Sequence, residues 1–166
     1  MIGNTGYVMR ESRGSPFSQI RFKMEGCSMM TDEIATATSA FSHFSSKMKR
    51  WNEHFYPLMV QDAEEAAGHA IAELGPIFES HVWPDAVRSV ERLNSPSAGL
   101  PSDYDPENDV IEEANLQSST CVLLVQSNTG FKDKFRYTLK KRGGEWKLFR
   151  RDLFLDDTGK WRSHHI

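Results

Sequence analysis

The chain has 166 residues, 39% of them hydrophobic, 26% charged and 11% aromatic, with a formal net charge of −3. That length predicts one domain with its own core, and the aromatic content excludes a disordered chain. Two cysteines are too few for a disulfide scaffold. No apolar run approaches the ~20 residues of a membrane helix, and the acidic balance speaks against direct nucleic-acid binding.

Residues 1–30 read as a loosely held N-terminal arm. Gly3, Gly6, Gly14 and Pro16 interrupt any period, and only Phe17–Met24 alternates as one strand would. The arm lacks the apolar segment of a secretory signal, so the sequence predicts a cytoplasmic protein in which Cys27 and Cys121 are free thiols. Met29-Met30, just ahead of a helix, reads as an alternative natural start, which would leave 31–166 as the single domain.

From Thr31 the period is helical. Ile34, Ala37, Phe41, Phe44, Met48, Trp51 and Phe55 form one apolar stripe. Thr31 suits the N-cap and Pro57 a stop or kink. A second helix is predicted over Asp62–His81, with Ala63, Ala66, Ala67, Ala70, Ile71, Leu74, Phe78 and Val82 inward and a kink or split at Gly75-Pro76. A third, Pro84–Leu93, would turn Val87 and Val90 inward. After the loop Asn94–Ser102 the period becomes 2. Strands are predicted at Val110–Ala114, Thr120–Gln126 and Phe135–Lys140. A hairpin at Arg142–Glu145 leads to a return strand with Trp146, Leu148 and Arg150 on one face, and Lys160–Ile166 closes the chain. Helices followed by a meander give an α+β fold, a strongly bent antiparallel sheet folded over a helical layer.

Charge is polarised along the chain. Residues 131–166 hold 11 basic and 5 acidic residues, whereas residues 1–130 hold 9 and 18. Asp103, Asp105, Glu107, Asp109, Glu112 and Glu113 form an acidic run expected to be solvated. Internal charge matching is one reading and a docking surface the other.

No catalytic or metal motif appears. There is no CxxC, no HExxH, no P-loop and no GxSxG elbow. His164 and His165, neighbours on a strand-like tail, are expected on opposite faces. Cys121 opens an apolar strand and reads as an inert buried thiol. No metal and no cofactor is predicted.

Three stretches carry a resemblance. The first is Phe41 and Phe44 with Lys47-Met48-Lys49-Arg50-Trp51-Asn52-Glu53 and Phe55-Tyr56. The second is Pro101-Ser102-Asp103-Tyr104-Asp105-Pro106-Glu107-Asn108-Asp109-Val110-Ile111. The third is Gly130-Phe131-Lys132-Asp133-Lys134-Phe135-Arg136-Tyr137-Thr138-Leu139-Lys140-Lys141, then Glu145–Leu148 and Asp157–Trp161. Together they resemble the bacterial immunity proteins of nuclear transport factor 2-like fold that accompany polymorphic toxins. Asn52 departs from that pattern, which more often has an acidic residue directly after the Trp.

The resemblance implies a cone-like fold and a function: binding a cognate bacterial toxin domain, such as a nuclease, and blocking its active site. The acidic run with Tyr104 (Asp103, Tyr104, Asp105, Glu107, Asp109, Glu112 and Glu113) is the candidate toxin-binding surface, a mimic of a phosphate backbone for a basic cleft. Tyr104 is expected to anchor its loop, and Trp51, Trp146 and Trp161 to fill the seam between helix and sheet. A basic strand face, Arg136, Lys140, Lys141, Arg142 and Arg151, is the rival surface. Two other classes stay open, because fold does not fix function. An enzyme would need a deep pocket holding His69 or Asp152. A ligand carrier or homodimer would need an apolar exposed sheet face.

Overall fold

The computed structural model describes the backbone of Arg21–Phe22 and the whole of residues 28–166. The remainder of the arm, Cys27 included, lies outside the described residues.

Helix α1 spans Ser28–Gln61. All seven residues of the predicted stripe are buried on it. Thr31 is inside the helix rather than its cap. Pro57 is inside too, and does not stop it. The proline is exposed near the last turn, where the hydrogen bond it cannot donate is replaced cheaply by water. Helix α2 spans Ala63–His81, with Asp62 as N-cap accepting from the Glu65 N–H at 3.0 Å. Gly75-Pro76 does not split it, because Leu74 and Phe78 are buried on either side and hold the turn in place. The alanine row works as its small side chains suggest: the Trp51 indole N–H reaches the Ala70 carbonyl at 3.0 Å. Ala63 and Ile71 are exposed instead of inward.

The third helix is shorter than expected. Helix α3 covers only Ser89–Asn94 and leaves Val90 exposed, burying Ser89 and Arg92. Residues 82–88 are drawn off by the sheet: the Trp83 and Val87 N–H groups donate to the carbonyls of Leu148 and Phe149.

Five antiparallel strands follow: β2 Val110–Gln117, β3 Thr120–Gln126, β4 Lys134–Arg142, β5 Glu145–Leu155 and β6 Lys160–His164. Strand β1, Arg21–Phe22, pairs in parallel with β2. Neighbours in sequence are neighbours in the sheet, which does not close into a barrel. Phe135, Tyr137 and Leu139 face α1, and Phe41 lies 4.5 Å from Tyr137 between ring centroids. At its other side the core receives Cys121, Leu123 and Val125 from β3.

One residue alters the face of β5. Thr138 pairs with Arg150, but Leu139 pairs with Leu148, so Phe149 is an extra, bulged residue. Past the bulge the alternation changes phase. Arg151 therefore joins Trp146 and Leu148 on the inner face, and Arg150 points out, the reverse of the simple alternation.

The start of α1 is tied to the far end of the sheet. Glu33 accepts from Lys141 Nζ at 2.6 Å and from the Trp146 indole at 3.0 Å. The lysine bond, followed by that of the indole, holds the Glu33 carboxyl below its ordinary range. Trp161 is not at the helix–sheet seam. It lies half-buried against Phe154, under the guanidinium of Arg136, 4.7 Å from its ring centroid.

Candidate functional site

Residues 95–109 join α3 to β2; their second part, Gly99–Asp109, holds Asp103, Asp105, Glu107 and Asp109 of the acidic run, and Glu112 and Glu113 follow on β2. Three clamps fix the loop. Tyr104 inserts into the core, edge-on to Phe44 at 5.2 Å, so it anchors the loop as expected. Asn52 of α1 grips Gly99 twice, accepting from its N–H at 2.9 Å and donating to its carbonyl at 2.8 Å. Lys49, one turn earlier, meets Asp105 at 2.9 Å, Glu107 at 3.2 Å and Glu53 at 3.8 Å.

The run is therefore less solvated than its composition predicts. Asp105 is buried, and its carboxylate also accepts from the Asn108 amide at 2.7 Å. Burial pushes its carboxyl up, but the Lys49 and Asn108 bonds outweigh it and the net shift is downward. Asp103 pairs with the buried Arg92, and the charges of Arg151 and Arg92 overcome its desolvation to lower it as well. Asp109 accepts from the Asp105 N–H at 3.1 Å, and burial raises its carboxyl. Glu112 pairs with Lys134 at 2.9 Å. Glu107, 77% exposed in its side chain, and Glu113 reach into water. The sequence shows the acids but not the cations from other elements that hold them.

A second loop abuts the first. Between β3 and β4, Ser127–Asp133 is closed by the Ser127 N–H on the Asp133 carbonyl at 2.9 Å. The Gln126 amide reaches across it to the carbonyls of Ser127 at 2.9 Å and Lys132 at 2.7 Å. Asn128 donates to the Asn108 carbonyl at 2.8 Å. Gly130 has φ +55°, and a Cβ there would stand 3.0 Å from Pro101 Cγ, so both backbone and space require glycine. The two loops form one braced rim. On it, Phe131 is 95% exposed and Leu100 77% exposed.

The rival basic face is largely neutralised from within. Arg136 and Arg150 share the buried Asp152, at 3.0 and 2.7 Å. Lys141 pairs with Glu33 and Arg142 with Asp85. Lys140 lies 3.5 Å over the Phe149 ring centroid. Arg151 is not on the surface at all: the bulge places it in the core, 0% exposed, among the rings of Phe135 (4.1 Å), Tyr104 (4.8 Å) and Tyr137 (5.7 Å).

Neither of the two alternative residues that an enzyme of this fold would use points into a pocket between helix and sheet. His69 lines an outer groove between α1 and α2 with His54, Leu58 and Glu65, while Asp152 serves the two arginines on the outer sheet face. Among the described residues, no three metal-ligating side chains cluster. His164 and His165 do not oppose each other. The strand ends at His164, alternation ends with it, and the rings lie 4.1 Å apart. Cys121 is a buried free thiol, pushed up to about 12 by desolvation.

A family model described as "NTF2 fold immunity protein" matches residues 36–165. The chain belongs to this family. Its role is that of an immunity protein, which neutralises an effector. It is 29% identical over 135 residues to the immunity protein RhsIA of Dickeya dadantii (strain 3937), covering 81% of this chain and 98% of that relative. No solved structure matches the chain. Parts of the three stretches that carried the resemblance, distant in sequence, meet at the rim: Lys49 of the first holds Asp105 and Glu107 of the second, and Gly130 of the third lies against Pro101 of the second.

Proposed function

We propose that this chain is a cytoplasmic, non-enzymatic inhibitor that seats its acidic rim over the active cleft of a cognate toxin domain. The carrying observation is the preformed acidic loop. One lysine, Lys49, gathers three carboxylates, leaving excess negative charge on a backbone already clamped by Asn52 and Tyr104. A surface ordered before encounter loses less entropy on binding, and its sign steers it toward a basic cleft, as in a nuclease. Asp103, Tyr104, Asp105 and Asp109 build the loop, and Glu107, Glu112 and Glu113 face the partner. The filled interior, where Tyr104, Tyr137 and Arg151 occupy the space between sheet and α1, supports inhibition over catalysis.

The test is a tagged pull-down from the native cells to identify the cognate toxin domain by its lethality on expression, then co-expression of the two and binding of the purified pair across a salt series. The chain should rescue growth. Glu107→Lys with Glu113→Lys should weaken binding at least about 10-fold at low salt and flatten the salt dependence. Unchanged affinity and salt slope would remove the acidic rim from the mechanism.

A further inference from the structure

We propose that Phe131 is the apolar anchor of the toxin interface, a rigidly presented aromatic that fills a pocket bordered by basic side chains on the toxin domain. The inference rests on the reading of the rim as the toxin-contact surface and names the residue and the chemistry that reading leaves open.

Phe131 stands outside the buried core. At 95% exposure its ring touches almost nothing among the described residues, yet the loop beneath it is heavily constrained. Gly130 and Lys132, on either side, both take positive φ, +55° and +57°. For Lys132 this is a conformation that L side chains rarely adopt. Held backbone strain of this kind persists only when surrounding contacts over-determine it. Here those contacts are the Gln126 amide on the Lys132 carbonyl, the Lys132 N–H on the Thr129 carbonyl at 3.0 Å, and Pro101 against Gly130. A loop fixed in this way holds its apolar tip in one position. Interface hot spots are enriched in such aromatics, which bring large area with little rotamer entropy to lose. Leu100, 77% exposed beside Pro101, extends the apolar patch.

The surrounding charge selects the occupant. Glu53, Asp105, Glu107, Glu112 and Asp133 stand around the two loops against Lys49, Lys132 and Lys134. A second copy of this chain, packed about a two-fold axis, would oppose acid to acid. A partner with arginines or lysines around an apolar pocket would complement both features at once.

The probe is an inactivated form of the toxin domain whose lethality this chain suppresses, titrated against the full chain and its variants. Phe131→Ala should weaken binding at least about 30-fold. Its salt slope should match that of the parent chain, because no charge changes, and its thermal midpoint should not move. Phe131→Leu should recover part of the affinity. A parent chain that binds while Phe131→Ala stays within about 3-fold of it would overturn the anchor and leave the inhibitor reading intact. A parent chain that does not bind the domain would overturn both. Sedimentation supplies the other check: a parent dimer that Phe131→Ala splits would make the patch a self-contact and overturn the inference.

Discussion

Asn52→Ala isolates the clamp between α1 and the acidic loop. Asn52 is buried, and its amide makes a reciprocal pair with the Gly99 N–H and carbonyl. Alanine removes both bonds and adds nothing in their place. Each such bond contributes about 1 kcal/mol net, and a half-buried backbone group left without a partner adds to the loss, so the expected cost is about 2–3 kcal/mol. For a chain of this size that lowers the thermal midpoint by about 4–10 °C. Urea unfolding and calorimetry would measure it, and hydrogen exchange at Gly99 would show where it arises.

Asn52→Asp sharpens the test, since it restores the acidic residue more usual beside the Trp. An ionised carboxylate accepts from the Gly99 N–H but faces the Gly99 carbonyl, which repels it. The native environment raises its pKa, so the variant's deficit relative to the parent should shrink as pH falls toward 4 and the protonated acid donates as the amide did. A loss under about 0.5 kcal/mol for Asn52→Ala, or an Asn52→Asp deficit independent of pH, would refute the clamp.

Acid should destabilise the parent protein ahead of carboxylate protonation. His165 is pushed down to about 4 by burial and by Arg92, while burial also lowers His81 and His164. Their native pKa values lie below the unfolded 6.5, so the stability they contribute is complete above that pH and is lost as pH falls, for His165 down to about pH 4 at up to about 1.4 kcal/mol per pH unit. His165→Asn should flatten the fall in a pH series of urea melts. Leu148→Ala, at a side chain with no exposure, should cost about 2–5 kcal/mol by urea midpoint. Cys121 should resist a thiol reagent in the native state and react only as fast as the sheet opens, with rates that rise in step with urea.

The stripe of α1 was fully legible because each of its positions meets the core directly, and strand Thr120–Gln126 was legible for the same reason. Arg151 was not. Its place depends on Phe149 being skipped in the β4–β5 pairing, and nothing in the residue types marks that skip: an alternating pattern reads one phase along the whole strand. Pro57 and Pro76 misled in the opposite direction, since a local breaker was overruled by burial on both sides or by water at an exposed turn. The rim was half legible. Its acids and the Tyr104 anchor stand out in sequence, but Lys49, Asn52 and Gly130 acquire their roles only through partners distant in sequence, with separations of 56 and 47 for the first two and Pro101 as the partner of the third.

The Glu33 tie has a consequence during synthesis. Its two partners are 108 and 113 residues downstream. At ~5–20 residues per second, the first helix to leave the ribosome waits roughly 5–20 s for the hairpin that fixes its start. In that interval the first element able to cover its stripe of Phe41, Phe44, Met48, Trp51 and Phe55 is α2, whose alanine-rich face arrives within the next 20 or so residues of chain, ahead of Tyr104, β2 and β3. The helical pair is thus a nascent-chain shelter, a provisional body that keeps the future core dry until the sheet is made.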